Sequence, residues 1–91
     1  MNRDVRNDHP AQLIEAVRGG SETAFESLLE CYAPLLSSSV AVFSGDTTRT
    51  AEERMQEARY ALYRAALSYR EGSGVTFGLY AKICVRNALI S

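Results

Sequence analysis

The sequence predicts an all-α fold, one compact bundle of about four helices that takes in residues 1–91 as a single domain. Three observations lead to it. Apolar residues recur at i, i+3, i+4 and i+7 through most of the chain, and no stretch alternates apolar and polar residues as a half-buried strand would. Each periodic stretch is opened by Asp, Ser or Thr and closed by glycine or a polar run. Ninety-one residues, 46% of them hydrophobic, suffice for one core and not for two.

Asp8 can cap a short first helix with Pro10 in its first turn, Leu13, Ile14 and Val17 as its apolar stripe, and Gly19-Gly20 at its end. The charged residues 1–8 ahead of it are expected to be disordered. Ser21 caps a longer second helix, in which Phe25, Leu28, Leu29, Tyr32, Leu35, Leu36 and Phe43 keep the 3.6 period. Pro34 falls inside it. A proline there removes a backbone donor and clashes with the preceding turn, so a kink or break is expected between Cys31 and Pro34. The polar run Ser44 to Thr50 is expected to be a mobile loop.

Thr50-Ala-Glu52-Glu53 opens the third helix with the pattern of a capping box. Ala51, Met55, Ala58, Leu62, Ala65 and Tyr69 form its inward stripe, small enough for neighbouring helices to approach closely. Gln56, Tyr60, Tyr63 and Leu67 run almost opposite, flanked by Glu53, Glu57 and Arg64. Aromatic anchors inside a polar rim suit a protein interface better than a solvated face. Glu71-Gly-Ser-Gly74 ends this helix and Thr76 caps the fourth, where Gly78 costs about 1 kcal/mol against alanine and so suggests a close approach or mobility.

The fourth helix has almost no plainly polar side. Phe77, Ala81, Cys84 and Ala88 share one face, which is expected to pack, Leu79, Ile83 and Ile90 a second, Lys82 and Arg86 a basic edge, with Tyr80 and Asn87 on the remaining side. A helix of this kind is central, or touches a partner, or does both on different faces. The net charge of −1 conceals a split: residues 1–58 hold five basic and ten acidic side chains, residues 59–91 five basic and one acidic. Such asymmetry fits an acidic face for a protein and a basic face for phosphates.

Catalysis is not indicated. His9, the single histidine, stands beside a proline near the N-terminus, and no nucleophile–base pair, metal spacing or phosphate loop is present, so no cofactor and no metal are expected. Cys31 and Cys84 fall on apolar stripes and are expected to be free, buried thiols. No apolar run approaches the length of a membrane span and no secretion signal opens the chain, which places the protein in the cytoplasm.

Phe77-x-x-Tyr80-Ala81-x-x-x-Val85-Arg86-Asn87-Ala88-Leu89, preceded by Glu52-Glu53-x-x-Gln56-Glu57, resembles region 2 of bacterial RNA polymerase sigma factors. Gly19-Gly20-Ser21-Glu22-x-Ala24-Phe25-x-x-Leu28 followed by Tyr32-x-Pro34 is similar to the start of that region in alternative and extracytoplasmic-function members. The resemblance implies that Glu53, Gln56, Glu57, Tyr60 and Tyr63 bind the clamp of the polymerase's largest subunit. It implies equally that Phe77, Tyr80, Lys82, Arg86 and Asn87 hold the non-template strand of the promoter's minus-ten element, and that an anti-sigma factor is a further candidate partner. Ile83 and Cys84 stand where housekeeping members carry paired tryptophans, Arg54 where an aliphatic residue is usual, and Glu53 where aspartate is. The end at Ser91 and the lack of a second DNA-binding domain suggest an excised domain of a longer factor. The alternative is a sigma-like protein-interaction module that does not bind DNA.

Overall fold

The computed structural model describes residues 11–90. The Asp8 cap, Pro10, the expected disorder of residues 1–8, His9 and Ser91 lie outside the described residues. Five helices are seen among the described residues rather than about four: α1 (residues 11–18), α2 (Glu22–Cys31), α3 (Ala33–Val42), α4 (Ala51–Ser68) and α5 (Phe77–Ile90). The domain is all-helical.

Glycine ends α1 as expected. Gly20 takes φ +97°, and Ser21 N–H donates to Ala16 O at 3.0 Å while Gly20 N–H donates to Val17 O at 2.9 Å, the paired bonds of a Schellman motif. Ser21 then caps α2 by accepting from Ala24 N–H at 3.1 Å. The extra helix comes from the expected break. The chain leaves α2 at Tyr32 (φ −109°, ψ 15°) and restarts at Ala33, which puts Pro34 in the first turn of α3, where its missing N–H has no helical partner to lose.

Leu28, Leu62, Leu89, Val17 and Val85 are the largest fully buried side chains. α4 and α5 form the most extensive helix pair, and α3 packs on both. Ala58, Ala61, Ala65 and Ala66 on α4 face this core with Ala81 of α5, so backbones rather than long side chains set the spacing. Ala51, expected inward, is exposed at the first position of α4.

On α5 the packing line is Phe77, Ala81, Val85 and Leu89. Cys84 and Ala88, expected there, flank it half-buried, because the true line drifts toward Val85 after its first turn. Cys31 is exposed and Cys84 half-buried, so neither is the enclosed thiol expected from its stripe. Thr76 caps α5, accepting from Leu79 N–H at 3.2 Å. A Cβ built on Gly78 would meet only Tyr32 Cε1, at an ordinary 3.8 Å, so no close backbone approach requires this glycine. Gly78→Ala is expected to stabilise the domain by about 0.5–1 kcal/mol, read as a rise in melting temperature.

Candidate nucleic-acid interface and docking face

The start of α4 is held from several sides. Glu53 N–H donates to Thr50 Oγ1 at 3.0 Å and Thr50 N–H donates to Glu53 Oε1 at 2.9 Å, so both halves of the capping box are formed. Arg54, one turn in, is only 6% exposed, and its Nη1 donates to Asp46 O at 2.9 Å and Arg49 O at 2.7 Å. It clamps the preceding loop. Asp46 in turn accepts from the hydroxyl and N–H of Thr48, and these bonds, the hydroxyl first, lower its carboxyl pKa to about 2. The run 44–50, expected to be mobile, is therefore cross-linked to the helix that follows.

Beyond this clamp, Gln56, Tyr60 and Leu67 lie on the exposed side of α4, with Tyr60 61% exposed. Tyr60 stacks on Tyr63 at 6.4 Å and lies under the Arg64 guanidinium at 5.7 Å, which keeps its ring against the helix. Tyr63, expected on the same outer line, is half-buried because its ring meets Phe25 of α2 edge-on at 5.3 Å. Glu57 is paired with Arg49. The face thus presents Glu53, Gln56, Glu57 and Tyr60 together, with Tyr63 as their backing.

An open groove of about 550 Å³ runs between α4 and α5, with Ala61, Ala65, Cys84 and Ala88 among its lining residues alongside Arg64, Leu67, Ser68, Tyr80 and Asn87. Tyr80 is fixed in it: its hydroxyl lies 2.8 Å from Ser68 Oγ and its ring 5.5 Å from that of Tyr69. Lys82 and Arg86 are exposed on α5 but do not line this groove. Phe77, expected at the same surface, is 5% exposed. Its ring is enclosed edge-on by Tyr32 at 5.4 Å and Tyr69 at 5.3 Å, so it packs the core beneath Tyr80 and offers no face to a ligand.

Residues 28–91 match the family model described as Sigma-70 region 2. The chain belongs to the sigma-70 region 2 family. No curated protein and no solved structure matches it. A sigma-70 region 2 domain serves transcription initiation, is not an enzyme, and has RNA polymerase core and promoter DNA as its family partners. The match begins at Leu28, so α1 and the Gly19-Gly20-Ser21 turn precede the matched sigma segment. No helix among the described residues is long and apolar enough to cross a membrane, and no group of three metal-ligating side chains occurs among them.

Arginines are what reading by sequence missed. Arg18 donates from Nε to Ala66 O at 2.9 Å and from Nη2 to Tyr69 O, holding carbonyls at the end of α4 that have no helical partner. Arg54 does the same for the loop before α4, through Asp46 O and Arg49 O, and Arg49 for Leu89 O in the last turn of α5. A signal existed for Arg54 alone, since it shares a helical face with Ala58, Ala61 and Ala65.

Proposed function

We propose that this sigma region 2 domain docks on RNA polymerase core through the outer face of α4 and receives the non-template strand of the minus-ten element along α5 and the α4–α5 groove. The observation that carries the reading is the division of α4 itself. Its outer side presents Gln56 and Tyr60 with Glu53 and Glu57, while its inner edge supplies Arg64 and Ser68 to a groove that Tyr80 and Asn87 complete from α5. Docking on the largest-subunit clamp and strand capture therefore occupy adjoining, not overlapping, surfaces. Unstacked bases find the Tyr80 ring, and backbone phosphates find Lys82, Arg86 and Arg64. No bond is made or broken; capture of exposed bases offsets the cost of unstacking them. Such work on a promoter is done in the cytoplasm.

Binding of labelled single-stranded oligonucleotide by the chain in complex with polymerase core tests this. Lys82→Ala is expected to weaken minus-ten and random strands alike and to reduce the salt slope by about one ion. An unchanged slope would remove Lys82 from the strand path.

A second reading, a helical interaction module without DNA binding, is favoured by the exposed Leu79, Ile83 and Ile90 on α5, which suit a protein such as an anti-sigma factor better than phosphates. Under it the Lys82→Ala complex binds oligonucleotide no differently from wild type.

A further inference from the structure

Each carboxylate on the docking face has one oxygen held by a donor from within the domain. Glu53 Oε1 accepts the Thr50 N–H, and Glu57 Oε1 accepts Arg49 Nη1. The second case is the less expected, because Arg49 is eight residues away in the loop. An exposed ion pair of that kind ordinarily contributes little, since two long side chains must be ordered to make it.

Arg49 differs in that other contacts have already ordered it. Its Nε and Nη2 meet Asp46 Oδ2 at 3.2 Å, and its Nη2 also donates to Leu89 O at 2.5 Å. Leu89 is in the last turn of α5, which contains no basic residue of its own, so Arg49 brings a cation to that end of the helix through Leu89 O. Its backbone is fixed as well, by the Arg54 bond to Arg49 O. The side chain retains 20% exposure against 46% for Glu57. The guanidinium is the fixed partner and the carboxylate the one being oriented.

We propose that Arg49 is a positioning residue for polymerase docking, acting through Glu57. It holds that carboxylate in the direction a partner must meet, which reduces the side-chain entropy lost on binding. The inference rests on the docking reading of α4 given above. It adds a residue outside the docking helix, in a loop that touches no partner in that reading. Arg54 belongs to the same device one step back, fixing the backbone from which Arg49 reaches.

A double-mutant cycle on affinity for polymerase core tests it, with circular dichroism to establish folding of each variant. Arg49→Ala is expected to weaken binding about tenfold in the wild-type background and not at all in the Glu57→Ala background. A merely structural role would give the same loss in both backgrounds and would overturn the proposal, as would binding that is unchanged or tighter in Arg49→Ala. Arg49→Gln, whose amide can still donate to Leu89 O, serves the same cycle if alanine unfolds the chain. Failure of the docking reading is read separately: it shows as a wild-type chain that does not bind core, or as Gln56→Ala with Tyr60→Ala binding like wild type.

Discussion

Replacing Gln56 and Tyr60 together by alanine is expected to abolish co-purification with RNA polymerase core while leaving helicity and cooperative melting near those of the wild type. Both side chains are exposed on α4, and the Tyr60 ring rests on Tyr63 and Arg64 at the surface and not in the core, so the domain loses little by their removal. An interface loses much more. A tyrosine anchor at the centre of a contact contributes at least about 2 kcal/mol by truncation, and a flanking amide adds to it, enough together to take a moderate affinity below what a pull-down retains. Undiminished recovery of polymerase with the double variant would remove α4 from the docking surface.

Tyr80→Ala is expected to weaken binding of the non-template minus-ten strand by roughly 1–3 kcal/mol, and to affect a random strand less. The ring is placed for this by two contacts, the Ser68 hydroxyl and the Tyr69 ring, so it meets a base without first being ordered. Tyr80→Phe separates the roles: it keeps the stacking surface, loses the Ser68 bond, and is expected to retain most of the affinity. Fluorescence anisotropy on the polymerase-bound chain reads both variants. Equal losses on the minus-ten and random strands would reduce Tyr80 to a general contact. A large loss with phenylalanine would transfer the effect to the hydroxyl.

What was legible in the sequence is what depends on neighbours along the chain. Ser21, Thr50 and Thr76 each cap the helix they were expected to cap, because a capping bond spans three residues and needs no tertiary knowledge. The break before Pro34 was legible for the same reason. Phe77 was legible from periodicity, which put it on one face with Ala81, and was misassigned only by the resemblance, which implied a DNA contact; Tyr32 and Tyr69 enclose its ring while Tyr80 lines the groove. Tyr63 divides likewise, its outer position on α4 overridden by Phe25 on a different helix. The arginine contacts to distant carbonyls are the extreme case, since an arginine in a loop has the same local signature whether it points to water or to a helix end.

Arg18 has a consequence for the order in which the domain is assembled. The hairpin of α4 and α5 joins residues close in sequence, with an eight-residue connection from Tyr69 to Thr76, and so it can form early. The Arg18 contacts to Ala66 and Tyr69 span 48 and 51 residues, and the long loop they close must be ordered before they stabilise anything. By sequence separation alone, these contacts are expected to form after that hairpin. Loss of the two Arg18 bonds would leave Ala66 O and Tyr69 O without those donors just where the chain turns from α4 toward α5, so a side chain near the start of the described residues helps to close the end of a helix some fifty residues on.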